Sequence, residues 1–188
     1  MVIGPIWITN YIKKYGTKIV IPKEATRIYG FGDAMRRLVE EKELEDSTIE
    51  ILFEENSELE EIASYAFRGC KIKNDLILPK KLKKIEIYAF AGCCGNVRLD
   101  KESEIQECED CFCFENEEVI TIPSSLISTS LYLSGRGKTI IIPKDSKITN
   151  ISTTKDMDLK TIITPDGTIF CDSNEKCKEF KVTDKRYN

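Results

Sequence analysis

The sequence predicts an α/β solenoid, a coil that lays one short β-strand per turn into a sheet, with about seven strands and one inserted helix near 32–45. Three observations predict it. Leu59-Glu-Glu-Ile-Ala-Ser-Tyr-Ala-Phe-Arg-Gly-Cys70 aligns without a gap on Leu82-Lys-Lys-Ile-Glu-Ile-Tyr-Ala-Phe-Ala-Gly-Cys93, an offset of 23 residues. Short β-branched segments, most of them ending in proline, recur at a similar interval along the chain. One stretch, Gly32 to Leu44, carries the apolar spacing of an amphipathic helix instead.

Taken in order, residues 1–16, with Trp7, Tyr11 and Tyr15, read as an N-terminal cap. Lys18-Ile-Val-Ile-Pro22 is the first strand, alternating in period two and stopped by a residue without an N–H. In the next stretch Met35, Leu38 and Val39 share one helical face, and Asp33 is placed to cap its start. The strand slot then recurs at Ile49-Glu-Ile51, Leu76-Ile-Leu-Pro79, Val97-Arg-Leu99, Val119-Ile-Thr-Ile-Pro123, Thr139-Ile-Ile-Ile-Pro143 and Thr161-Ile-Ile-Thr-Pro165. Ile21, Ile51, Leu78, Leu99, Ile122, Ile142 and Thr164 are taken as equivalent. A third, degenerate repeat begins at Ile105-Gln-Glu-Cys-Glu-Asp-Cys-Phe112. Beyond Pro123 the connecting segments turn to Ser, Thr, Lys and Asp, which predicts thinner turns without helices. Residues 166–188 are expected to cap the far end, because a stacked repeat must hide its open core. The whole chain, 1–188, reads as one domain, with repeats over 17–165.

The compound pattern I-x-I-P-x-x-L-x-x-I-x-x-Y-A-F-x-G-C resembles the BspA-type leucine-rich repeat family. The resemblance is closest over 47–123 and extends, degenerate, across 17–165. It implies a right-handed solenoid with a parallel sheet face. It also implies roles in adhesion or protein recognition, with no catalysis built into the repeat.

Composition narrows the chemistry. The chain has 188 residues, a formal charge of −4 and no histidine. Ser-His-Asp and Cys-His nucleophile pairs, HExxH zinc sites and His-ligated haem are therefore excluded. No enzyme is expected and no cofactor is expected. No apolar run approaches the 18 residues of a membrane span. A pI near 5.2, with no basic groove interleaved with aromatics, argues against nucleic acid. The first ten residues lack a basic n-region and an apolar core, so a cytoplasmic or nuclear location is expected, with the cell surface or secretion as the alternative.

Eight cysteines invite two readings. Cys93, Cys94, Cys108, Cys111 and Cys113 make a thiolate set of the kind that holds zinc or an iron–sulfur cluster. In the repeat frame, however, Cys108 stands where Ile62 and Ile85 stand, and Cys111 replaces Ala66 and Ala89. Cys70 and Cys93 close successive copies. Packing as buried thiols is the expected role. Cys171 and Cys177 are the expected disulfide pair in an exported chain.

Charge comes in bands. Glu40 to Glu61 holds eleven acidic residues and one lysine, Lys71 to Lys84 six lysines and one aspartate, and Glu102 to Glu118 eight acidic residues. Opposite bands on adjacent turns are expected to set the stacking. The outward strand positions, Val20, Glu50, Ile77, Arg98, Thr121, Ile141 and Ile163, form the expected protein-binding face. Four of the seven are large aliphatics, and an apolar stripe rimmed by charge marks a contact surface. Ser134-Gly-Arg-Gly-Lys-Thr139 lacks phosphate-loop spacing and reads as a turn. Asn150-Ile-Ser152 is a glycosylation sequon that matters only outside the cell.

Overall fold

A computed structural model describes residues 1–95, 97–100, 102–108, 112–114, 119–122, 124–127, 130–135, 139–148, 150–153, 159–165, 167–170 and 179–181. The seven predicted strands are all present, as Lys18–Ile21, Thr48–Phe53, Leu76–Leu78, Val97–Leu99, Val119–Thr121, Thr139–Ile141 and Thr161–Thr164. They are not the only strands, and they do not form one continuous sheet. Instead, three lines of strands run through the described residues.

The first line is a five-stranded parallel sheet of two-residue strands: Val2–Ile3, Arg27–Ile28, Glu61–Ile62, Lys84–Ile85 and Glu107–Cys108. Its register puts Ile3, Ile28, Ile62, Ile85 and Cys108 in a single column, and all five are buried. This is the isoleucine of the L-x-x-I element. The Cys108 position therefore packs where the repeat frame places it.

The second line contains the I-x-I-P strands. Lys18–Ile21 pairs with Glu50–Phe53, Leu76–Leu78 with Val97–Leu99, and Val119–Thr121 with Thr139–Ile141 and then Thr161–Ile163. Three of the described prolines that follow a strand start a tight turn closed by a backbone hydrogen bond. Pro22, Pro79 and Pro143 carbonyls accept from the N–H three residues on, at 3.0, 3.1 and 3.0 Å. Proline costs the ladder nothing there, because the strand has already ended.

The third line begins with Thr48–Ile49 against Lys71–Ile72, with a bridge from Lys71 to Cys94. A separate sheet is formed by Phe112–Phe114, Ser130–Gly135 and Asn150–Thr153. At the far end two strands reverse direction: Gly167–Phe170 lies antiparallel on Thr161–Thr164, and Glu179–Lys181 antiparallel on Asn150–Thr153. Both cover an edge that a further parallel strand would otherwise extend. Of the Ser134–Thr139 motif, Ser134 and Gly135 end one strand and Thr139 opens the next; residues 136–138 lie outside the described residues.

Between the first and third lines the Tyr-Ala-Phe-x-Gly-Cys element forms a turn. Ala66 and Ala89 donate back three residues, while Phe67 N–H reaches across to Ala89 O at 2.7 Å, so consecutive turns are bonded to each other. Tyr65 and Tyr88 both sit at φ 57°, and Gly69 and Gly92 at 70° and 62°. The glycine of the motif is thus a left-handed position, where a Cβ is disfavoured. Phe67 stacks on Phe90 at 5.1 Å and on Phe31 at 4.8 Å, all three buried. Tyr29-Gly30-Phe31 is therefore a first copy of Tyr-Ala-Phe, two residues closer to its isoleucine.

Helix α2, Phe31–Glu40, follows that copy. It is shorter than the predicted 32–45, and its N-cap is Gly30 in the left-handed region rather than Asp33. Asp33 sits in the first turn, where a negative charge suits the helix dipole. Gly32 is obligatory in a different way, because a Cβ there would lie 2.2 Å from Arg68 O. The expected cap 1–16 contains the strand Val2–Ile3 and an 11-residue helix, α1, Pro5–Tyr15. Pro5 opens α1, as proline's fixed φ favours. Ile8 and Ile12 are buried, and Trp7, Tyr11 and Tyr15 stack at 4.9 Å intervals along its side. A contiguous buried cluster runs from Ile3 to Ile162.

Candidate protein-binding face

Alternation along each second-line strand decides which side chains face outward. Ile19 and Ile21, Ile49 and Ile51, and Leu76 and Leu78 are buried, so Val20, Glu50 and Ile77 point away from the core. Ile77 is 57 % exposed, and Arg98 and Thr121 are also exposed. Val20, Glu50, Ile141 and Ile163 are half-buried.

The structure corrects how these residues are neighboured. Val20 stands opposite Leu52, not Glu50; Glu50 stands opposite Lys18 and pairs with it at 3.1 Å. Leu52, 38 % exposed, is the apolar residue that completes this part of the face and that sequence reasoning missed. A signal for it existed. Seven residues separate Ile21 from Ile28 and Leu78 from Ile85, whereas eleven separate Ile51 from Ile62 and nine separate Phe53 from Ile62. Counting back from the better-defined isoleucine favours Phe53 as the strand's end.

The seven residues are also not one stack. Ile77 faces Arg98 across one ladder, and Thr121, Ile141 and Ile163 share another. No ladder joins these groups among the described residues. Beside Ile77 the surface dips into a groove of about 340 Å³, with Phe53, Leu78 and Pro79 among its apolar walls and Lys80, Lys81 and Asp100 at its rim. Arg98 pairs with Asp75 at 2.6 Å. Leu52 and Ile77 thus lie exposed between compensated charges, a surface from which little ordered charge must be stripped on contact.

The charged bands are knitted together. Lys81 pairs with Glu58 and Lys83 with Glu60 one repeat back; Lys80 pairs with Glu102 and Lys84 with Glu107 one repeat on. These pairs raise the Lys80 and Lys83 pKa values and lower that of Glu60, each chiefly through the side-chain hydrogen bond. Glu86 is lowered by hydrogen bonds from the Ser64 backbone N–H and hydroxyl. With Lys71 on Asp46, five of the six lysines of the band are paired inside the chain, mostly at exposed positions where each pair contributes little to stability.

The cysteines separate by environment. Cys70 and Cys93 are buried thiols, and burial pushes the Cys70 thiol up to about 12. Cys94 is free and exposed, so the adjacent pair Cys93-Cys94 splits between core and surface. Cys108 is buried as expected, yet it is disulfide-bonded rather than a thiol, which corrects that part of the packing expectation. Among the described residues no group of three or more His, Cys, Asp or Glu side chains is arranged to hold a metal ion. Cys111, Cys171 and Cys177 lie outside the described residues. No helix among the described residues is long and apolar enough to cross a membrane.

Comparison with known families identifies a match: the model of the BspA type leucine rich repeat region fits residues 44–155 in six copies. No curated protein and no solved structure matches the chain significantly.

Proposed function

The chain belongs to the BspA-type leucine-rich repeat family, and we propose that it is a non-catalytic protein-recognition module acting as an intracellular adaptor or regulator. In this reading residues 1–188 form one right-handed α/β solenoid, capped at both ends, that binds neither nucleic acid nor membrane. Leucine-rich repeats generally mediate protein–protein contact. The partner docks on the outward strand face around Val20, Leu52 and Ile77, with Arg98, Thr121, Ile141 and Ile163 extending the surface.

The observation that carries the proposal is the exposure of Ile77 beside its groove. Solvation alone does not call for a large aliphatic there, and a rigid sheet presents it at little ordering cost. The test compares affinity capture by wild type with capture by Leu52→Asp plus Ile77→Asp. The proposal expects a protein retained by wild type and lost by the double variant; identical captures would remove the face from consideration.

A second reading, an exported adhesin for host or matrix proteins, is favoured by the Cys108 disulfide, since disulfides persist in oxidising compartments. The exposed free thiol of Cys94 favours the intracellular reading. Fractionation of the source cells separates them: recovery in the cytosolic or nuclear fraction supports the first, and recovery at the cell surface or in the medium supports the second.

A further inference from the structure

Helix α2 overhangs the turn around Tyr65 to Gly69, and a cleft of about 770 Å³ lies between them. This is a second surface, lined by none of the strand-face residues. Its size falls in the range that holds a peptide segment or a small ligand.

We propose that this cleft binds a basic peptide segment carrying adjacent arginine or lysine side chains. Its lining combines an apolar floor, Val39 and Tyr65, with four carboxylates, Asp33, Glu40, Glu45 and Asp46, against two guanidiniums. Both guanidiniums are already engaged. Arg36 lies 3.2 Å from Glu40 and 3.5 Å from Asp33, and Arg68 rests over the Tyr65 ring at 5.4 Å. The surplus is negative: the four carboxylates stand against Arg36, Arg68 and Lys71, the last 3.3 Å from Asp46. Long cationic side chains match this pattern, because their methylene stems pack on apolar surface while the charged head stays at the carboxylates. An acidic or neutral peptide would leave that surplus uncompensated.

The test is fluorescence anisotropy with labelled hexa-arginine and hexa-glutamate peptides at low salt. Hexa-arginine is expected to bind, hexa-glutamate not, and Glu40→Gln plus Glu45→Gln to weaken binding about tenfold. Glu55→Gln plus Glu102→Gln removes the same charge elsewhere, and also frees one cation, Lys80. That control is expected to change binding less than about twofold. Tyr65→Asn, which tolerates the left-handed backbone, is expected to weaken binding several-fold by removing the floor. Ile77→Ser, on the strand face, is expected to leave it unchanged, so failure here and failure of the strand-face proposal are distinguishable. No binding of hexa-arginine, or equal losses in both glutamine doubles, overturns the proposal.

Discussion

The side-chain amide of Asn74 pairs with both backbone groups of Ile51: its Oδ1 accepts from Ile51 N–H at 2.9 Å and its Nδ2 donates to Ile51 O at 2.8 Å. Thr48–Phe53 and Leu76–Leu78 belong to different sheets, so a side chain supplies here what a strand neighbour supplies elsewhere. Ile51 is fully buried, and unpaired backbone groups at such a place are costly. Asn74→Ala is therefore expected to destabilise the protein by about 2–3 kcal/mol, read from equilibrium urea unfolding. An unchanged midpoint would mean that the ladder break is not held by Asn74.

The Phe31–Phe67–Phe90 stack leads to a second expectation. Phe67 sits between two rings and is itself fully buried. Truncation to Ala is expected to cost about 3–5 kcal/mol, with Phe67→Leu costing less because it leaves a smaller void. Thermal or urea unfolding of the two variants measures the difference, and equal losses would show that the stack is not tightly packed.

How much of this was readable follows from where the sequence carries strong period and where it does not. The Tyr-Ala-Phe-x-Gly-Cys copies are dense in special residues, so the positions of Ile62, Ile85, Ala66, Ala89 and Cys108 in the core follow from simple alignment. The strand around Ile51 carries no proline, and in Glu-Ile-Leu-Phe53 every position after Glu50 is apolar; period two is ambiguous there and does not place Leu52 opposite Val20. Two-residue strands such as Lys84–Ile85 are too short for any periodicity to reveal. Helix α1 did have a signal in Pro5, Ile8 and Ile12, but three aromatics at 7, 11 and 15 read equally well as an irregular cap. The disulfide at Cys108 is a matter of spatial proximity, which spacing does not encode.

Tyr88 offers a backbone test. At φ 57° it occupies a region that asparagine tolerates and β-branched residues resist. Tyr88→Asn is expected to stay within about 1 kcal/mol of wild type, the relief of strain offsetting the lost ring contact with Tyr65. Tyr88→Val is expected to be about 1–2 kcal/mol worse than Tyr88→Asn. Equal stabilities would contradict a left-handed Tyr88.

Cys70 predicts an alkaline dependence. Its pKa rises from 9.0 to about 12 because burial disfavours the thiolate. The unfolded chain releases this proton first, so stability is intact below about pH 9 and falls as pH rises from there toward 12, by about 1.4 kcal/mol per pH unit. Cys70→Ala removes that component, and the wild-type advantage is expected to shrink between pH 8 and pH 10.5. A constant difference between the two proteins would place Cys70 in contact with water.

The same environments order thiol reactivity. In native protein Cys94 is expected to react rapidly with a disulfide reagent, while Cys70 and Cys93 react only on unfolding. Fast modification of all three would contradict the buried assignments.

The central claim is that a protein partner sits on the outward strand face. Its most direct measurement is photo-cross-linking with a benzophenone side chain installed at position 77 and, as a control, at exposed position 144, in the cells the protein comes from. A discrete heavier adduct from position 77 and none from position 144 is the predicted result; adducts from position 144 alone, or from neither, would contradict it.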